Sequence, residues 1–530
     1  MQNSSPPASA NRQIARAAAT IMAAFVVSKL VGLLASALTA QAFGTSAESE
    51  AFFAANRFSE ILFNLVAGGA LASAFIPTLT GLLARGERAK AWSLVSAVAW
   101  WVSLALTVLS LLAILFSRQV VHYILAPGFA AADPAKEALT AALLRVQVLS
   151  AVIFGLSGLV MGVLNAHQKF LLASLAPAMY HIGWISGIYL LAPRYGVHGV
   201  SWGVVAGALL HLLIQLPDLL RLPGRRLEFT LGLHLSETRQ VALLMAPRLL
   251  GVAVVQLNFL LNTYLASLQP EGSVTFIALA FPLMIMPQSA IAQSIAIAAL
   301  PTFSAQAALS KLDEMRASLA ATLRGVLFLS LPASVGLVLL REPLVALLYQ
   351  RGAFTAESTR NVAWALLWYA AGLVGHCALE IVARAFYALQ DTRTPVIVGV
   401  GAMTLNLILS IAFSALFTSI GWMPHGGLAL ANSMATALET ILLLALISRR
   451  LNGLEGRRTL LSSLKYVAAS AAMAGGLVWW LAFSANMRTW QVTLGGLTLG
   501  LAMYALGVLI LRAEEVQSVW RMLRRRIARS

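Results

Sequence analysis

Ala74-Phe75-Ile76-Pro77-Thr78-Leu79 closes one long apolar run, and a basic turn with Arg85, Arg88 and Lys90 follows it. Ala298-Ala299-Leu300-Pro301-Thr302-Phe303 closes another about 224 positions later, followed by Lys311 and Arg316. The echo continues in order at offsets of about 222 to 227: Pro127-Gly128-Phe129 is answered by Arg351-Gly352-Ala353-Phe354, Gln168 by Gln390, and His198-Gly199 by His425-Gly426. One such pair is chance; four in register mark a duplication. Folds built from duplicated membrane halves often hold a binding site between the repeats, so the pattern points to a transporter.

The apolar content surrounding these marks is that of a membrane protein. The 530 residues are 59% hydrophobic and 11% charged, with a mean hydropathy of +0.81; a soluble chain carries roughly a quarter charged residues. Apolar blocks of about 20 to 30 residues suffice to cross a hydrocarbon core of about 30 Å as helices, and the alternating pattern of an outer-membrane barrel is absent. The fold class is therefore an all-α polytopic membrane protein, with about fourteen transmembrane helices expected. Cys377 is the one cysteine, so no intrachain disulfide forms. The Ser/Pro/Ala-rich start with Arg12 and Arg16 precedes a span too long for a signal-peptide core, so an uncleaved N-terminus is expected.

Basic residues give the orientation. With the N-terminus inside, 25 Lys and Arg fall in cytoplasmic segments, among them Arg85, Arg225, Arg226, Arg324, Arg449, Arg450, Arg457, Arg458, Lys465 and the C-terminal Arg521 to Arg529 group; seven fall outside, namely Arg118, Lys136, Arg194, Arg341, Arg351, Arg360 and Arg488. The bias predicts cytoplasmic N- and C-termini. Much of the formal charge of +17 is thus a topology signal. Nucleic acid is a poor partner for it, because the basic residues lie in short turns rather than on one folded face. Anionic lipid under the basic loops and tail is the better one. Six helices separate each repeat mark from its partner, which predicts two parallel six-helix repeats related by an axis along the membrane normal, plus two C-terminal helices. The expected divisions are 1–228 for the N-terminal lobe, 229–452 for the C-terminal lobe, and 453–530 for helices 13 and 14 with the basic tail.

Charges inside the spans are the candidate site residues. An ionised side chain at a helix centre costs about 2.5–3.5 kcal/mol on insertion scales, so it should face protein, water or a counter-ion. Lys29 lies mid-span; Arg57 and Glu60 are i,i+3 neighbours on helix 2; Arg248 follows Pro247, where a proline frees a carbonyl. These four are the expected substrate-binding set, against the plainer reading of Arg57–Glu60 as a self-satisfied pair. His376, Glu380 and Arg384 stand four apart on one helix face. They form either a cation or proton relay or a packing ion pair. His181 and His211 read as core histidines. The chain has no Gly-Lys pair, hence no phosphate loop, and no zinc-ligand spacing. It reads as a transporter and not an enzyme, without cofactor, driven by an ion gradient or the membrane potential, and working as a monomer.

The string Arg384-Ala385-Phe386-Tyr387-Ala388-Leu389-Gln390-Asp391-Thr392-Arg393-Thr394-Pro395 resembles the helix 10–11 turn of the MurJ/MviN lipid II flippases of the MOP exporter superfamily. Ala126-Pro127-Gly128-Phe129, Gly352-Ala353-Phe354-Thr355 and Glu50-Ala51-Phe52-Phe53 resemble further family marks, so the likeness covers nearly the whole chain. The resemblance implies two six-helix lobes around a cavity, with helices 13 and 14 forming a groove for a polyprenyl tail. It also implies movement of undecaprenyl-pyrophosphate-linked peptidoglycan precursor to the outer leaflet of the bacterial cytoplasmic membrane by alternating access. A pyrophosphate needs cationic partners. Here the sequence departs from the family: Ser28-Lys29-Leu30-Val31-Gly32-Leu33-Leu34-Ala35-Ser36 keeps one cation where the family has two and an acid. Arginines expected in helices 2 and 8 fall on Phe63 or Asn64 and near Phe281-Pro282. Arg57 and Arg248 are the candidate replacements. The alternatives are an exporter of another lipid-linked glycan or amphipathic small molecule, and a scaffold that no longer transports.

Overall fold

The computed structural model describes residues 8–66, 70–226, 228–232, 236–513 and 515, with side chains described except at 8–23, 66, 70–73, 246–248 and 250. Arg12, Arg16 and the Arg521–Arg526 tail lie outside these side chains. The chain falls into two compact units, Met1–Val274 and Thr275–Ser530. Among the described residues the regular structure is helical throughout.

Unit 1 contains α1 (Ala8–Phe43), α2 (Ala47–Val66), α3 (Ala70–Ala84), α4 (Arg88–Leu115), α5 (Pro134–Gln147), α6 (Leu149–Ala166), α7 (Leu171–Ser186), α8 (Val197–Leu213) and α9 (Ser236–Ser267). The helix α10 (Ser273–Gln288) begins in its last residues. Unit 2 continues with α11 (Ser294–Ala308), α12 (Leu312–Leu339), α13 (Arg341–Tyr349), α14 (Ala356–Ala371), α15 (Leu373–Ala388), α16 (Arg393–Ser419), α17 (His425–Arg450), α18 (Gly456–Phe483) and α19 (Thr489–Ile510). Among the described residues 11 helices are long and apolar enough to cross a membrane, or 12 if α14 and α15, bent by 43°, form one span. The sequence estimate of about fourteen is larger. Within α2–α3 and α9, only Ala74–Ala84 and Gly251–Ser267 register, as shorter apolar helices.

The duplicated sequence marks carry duplicated backbone geometry. Pro77 lies inside α3 and Pro301 inside α11, so both helices run on past the proline. Each helix then stops in the same way. Gly86 and Ser310 take positive φ of 78° and 56°, and the next amides donate back across the turn, Glu87 to Leu82 at 3.0 Å and Lys311 to Gln306 at 2.9 Å. Gln168 and Gln390 repeat this stop, with φ of 58° and 59° and return bonds from Lys169 to Leu164 and from Asp391 to Phe386. This six-to-one bond satisfies helix-end carbonyls that would otherwise lack partners. Phe129 and Phe354 are both fully buried, each with its amide 3.1 Å from the carbonyl three residues back.

Within unit 1 glycines make one close helix crossing. Gly183 and Gly187 on one leg face Gly199, Gly203 and Gly207 on α8, and at each of them a Cβ would collide with the opposite backbone. Small residues four apart let two helices approach to backbone contact where lipid offers no hydrophobic drive. That crossing, α8 on α7, then packs α7 against α1. The helix α9 packs on α2 and α3, within unit 1. The break between the two compact units, at 274/275, falls inside the stretch 229–452 expected as the C-terminal lobe.

Candidate functional site

Helix α2 organises the first site. Its 20 residues mix polar with apolar side chains, and Asn56 and Arg57 lie about one helical turn before Glu60. Arg57 Nη1 pairs with Glu60 Oε2 at 2.8 Å, with both side chains partly exposed. Asn56 Nδ2 donates to the other carboxylate oxygen at 3.0 Å, and Tyr180 on α7 donates its hydroxyl to Asn56 Oδ1 at 3.3 Å. The Arg57 guanidinium lies over the Phe259 ring of α9 at 5.1 Å. Lys29 is exposed on α1, 5.2 Å from the centre of the Phe25 ring, one turn before Gly32, against which His181 of α7 packs. Of the four expected substrate-binding residues, Arg57 and Glu60 are thus brought together, and Lys29 lies on α1, which packs on α2 and α7 within unit 1. The side chain of the fourth, Arg248 on α9, lies outside the described residues.

Aromatic rings wall this neighbourhood. Phe154 contacts Phe63, Tyr180 and His211 at centroid distances of 4.9, 5.0 and 5.3 Å. His181 packs on Gly32, where a Cβ would strike its ring, and beside Tyr180 and Trp184. His211 is buried, its Nδ1 2.6 Å from Ser157 Oγ, which also accepts from Gln215 Nε2 at 2.7 Å.

In unit 2 the expected ladder on α15 separates into two pairs. Glu380 and Arg384 approach to 3.5 Å, both partly exposed. His376 turns away from them to Asn432 of α17, with 3.1 Å between Nε2 and Oδ1. The family-like string around Asp391 is a clasp: Asp391 accepts from the Thr394 amide at 3.0 Å and the Thr394 hydroxyl at 2.6 Å, and Arg450 reaches its Oδ2 at 2.6 Å while lying over the Phe386 ring. The Thr394 side-chain and backbone hydrogen bonds, then the Arg450 charge, hold the Asp391 carboxyl below the usual carboxylate range.

Two residues that the charge count places in loops are interior. Lys136 and Glu50 form a buried ion pair, 6% and 2% exposed at their side chains, with Lys136 over the Phe129 ring. The Val274 amide donates to the second Glu50 oxygen at 2.9 Å. Arg324 is buried between Glu455 at 3.1 Å and Glu515 at 3.6 Å. Pairing lets each charge leave water, which hydropathy alone does not foresee. Among the described residues no group of three His, Cys, Asp or Glu side chains is placed to hold a metal ion.

Comparison with known proteins supplies the rest. A family model described as "Lipid II flippase MurJ" matches residues 39–499. The chain belongs to the MurJ family. The matched span begins after Lys29, so the Ser28–Ser36 stretch that departs from the MurJ pattern lies outside it. A probable lipid II flippase MurJ of Vibrio cholerae is 29% identical over 96% of this chain and 98% of its own length. The lipid II flippase MurJ of Burkholderia cenocepacia is 31% identical over 82% and 84%. A solved MurJ in an inward closed conformation superposes with a TM-score of 0.78 at 23% identity, covering 94% of this chain and 99% of that one. An inward-facing multidrug resistance MATE transporter of the MOP superfamily follows at 0.67 and 14%, covering 81% and 96%. MurJ membership makes the chain a transporter rather than an enzyme.

Proposed function

We propose that this MurJ-family chain flips lipid II from the inner to the outer leaflet of the bacterial cytoplasmic membrane by alternating access. The observation that carries the reading is the family match over residues 39–499. The cluster of Lys29, Arg57 and Glu60 supports it chemically, because two cations on neighbouring helices suit a pyrophosphate. Glu60 holds Arg57 while no cargo is present, and a pyrophosphate arriving at Arg57 takes over that role. Arg248 adds a cation from α9, and His376, Glu380 and Arg384 carry the charge movement that couples transport to an ion gradient or the membrane potential. Fourteen spans, counting α2–α3 and α9, with both termini cytoplasmic fit the excess of Lys and Arg in alternate turns. The lobes 1–228 and 229–452, the appendix 453–530, a monomeric working state and basic loops resting on anionic lipid complete this reading.

A second reading is favoured by the neutralisation of Arg57 by Glu60, which leaves fewer free cations than a pyrophosphate site offers. In it the cargo is another lipid-linked glycan or an amphipathic small molecule. Complementation separates the two. A bacterium depleted of its resident flippase and expressing this chain is expected to expose lipid II outside at the normal rate. Absence of exposure despite normal membrane insertion would rule out the first reading.

A further inference from the structure

The Glu60 carboxylate divides its two oxygens between two partners. Oε2 takes Arg57 Nη1 at 2.8 Å, and Oε1 takes the Asn56 amide Nδ2 at 3.0 Å. Asn56 is only 5% exposed, so the second bond forms away from water. Arg57 and Glu60 are 29% and 40% exposed at their side chains, so their pair can be reached by an arriving anion. The far end of the same amide is held too, because Tyr180 of α7 donates its hydroxyl to Asn56 Oδ1 at 3.3 Å. Two bonds thus run in one direction, from the Tyr180 hydroxyl through the Asn56 amide to Glu60, where Arg57 meets them.

The orientation of the amide follows from its partners. An ionised carboxylate only accepts, so Asn56 must turn its NH2 towards Glu60, and its carbonyl then needs a donor, which the phenol supplies. Tyr180 is itself fixed by its ring, which packs edge-on against Phe154 at 5.0 Å and beside Trp184 at 6.2 Å. A polar chain whose members are all satisfied is rigid. The anchor of Glu60 therefore lies outside its ion pair, on a helix that packs against α1 and α8.

We propose that Asn56, oriented by Tyr180, is a positioning residue for cargo release: it holds the Glu60 carboxylate in place while Arg57 serves the pyrophosphate, so that Glu60 can take Arg57 back. An anion arriving at Arg57 brings negative charge towards Glu60, and the two repel. Without the Asn56 bond the carboxylate is free to rotate away, and from there it no longer competes for the guanidinium. Cargo then binds more tightly and leaves more slowly. This role rests on the reading of Arg57 as a cation for the pyrophosphate, and it adds two neutral residues to that site.

Two measurements on the purified full-length chain test this: lipid II affinity in detergent, and the rate of lipid II exposure in reconstituted vesicles. N56L keeps the side-chain volume and removes the amide. It is expected to tighten binding by about tenfold, the worth of one hydrogen bond to a charged group, and to slow exposure. Y180F keeps the ring against Phe154 and should move both readouts in the same direction by about threefold. E60Q removes the charge through which Asn56 acts, so N56L/E60Q should bind like E60Q alone. A packing role for Asn56 would instead carry the same change into both backgrounds. Should N56L fold poorly, Y180F against Y180F/E60Q makes the same comparison. Equal effects in the parent and E60Q backgrounds, or unchanged binding and exposure in both N56L and Y180F, would overturn the proposal. Failure of the parent chain to bind lipid II would overturn the underlying reading with it, whereas binding without coupling between Asn56 and Glu60 overturns the positioning role alone.

Discussion

Replacing Glu50 with alanine strands a charge in the interior of unit 1. Lys136 is only 6% exposed at its side chain, and Glu50 is its ion-pair partner. The Phe129 ring beneath Lys136, at 4.1 Å, remains as an attractive neighbour, and a ring face returns about 0.5–2 kcal/mol. Breaking one side of a buried ion pair costs about 3–5 kcal/mol. The Val274 amide also loses its acceptor, about 1–3 kcal/mol if it stays dry. These effects share one network and do not add, so E50A is expected to lose about 4 kcal/mol in total. E50Q keeps an oxygen for Val274 and should lose less. E50Q/K136M removes both charges, and apolar replacement of a buried pair is often neutral; it is expected to return to within about 1 kcal/mol of the parent. The assay is equilibrium unfolding in detergent micelles, followed by tryptophan fluorescence. The reasoning fails if E50A loses under about 1 kcal/mol, or if E50Q/K136M is no more stable than E50Q.

At the glycine crossing, G203L should separate α8 from the α7 leg and lower the thermal stability in detergent, whereas G251L, which meets open space, should not. For Asp391, the folded carboxyl titrates below its unfolded value, so its contribution is fully present above about pH 4 and is lost as pH falls through the depressed folded value. D391N should flatten that acid limb in a pH series of melting temperatures and loosen the Arg450 contact. In the complementation assay, R57A and K29A should reduce exposed lipid II with normal protein level, and R248A likewise. E60Q frees Arg57 and should instead raise affinity for the precursor, measured by binding in detergent; unchanged binding would remove Glu60 from its counter-ion role.

Much of the local chemistry was legible because helix geometry determines it. Residues three and four apart on one helix must meet, so Arg57–Glu60 and Glu380–Arg384 are paired as their spacing requires. The duplicated stops at Gly86 and Ser310, and at Gln168 and Gln390, are likewise local: a helix end needs partners for its carbonyls, and the turn supplies them within six residues. The GxxxG spacing of Gly183, Gly187, Gly199, Gly203 and Gly207 was equally available as a sign of close crossing, and so was Asn56, one turn before Glu60.

Other contacts required the packed fold. His376 had Glu380 in reach along its own helix and bonds Asn432 instead, because α17 brings a neutral partner to that face. Tyr180 joins the Glu60 network from α7, a distance in sequence that no periodicity spans. Counting Lys and Arg assigned Lys136 and Arg324 to solvent-facing turns, yet both are buried on carboxylates far away in the chain. By itself the sequence determined a duplicated helical membrane protein of the MurJ type, because hydropathy, spacing and motif act within a single helix or turn. Tertiary structure alone decided which charges are counter-ions and which remain open to a ligand, because a buried charge is stabilised only by the partner that packing delivers to it.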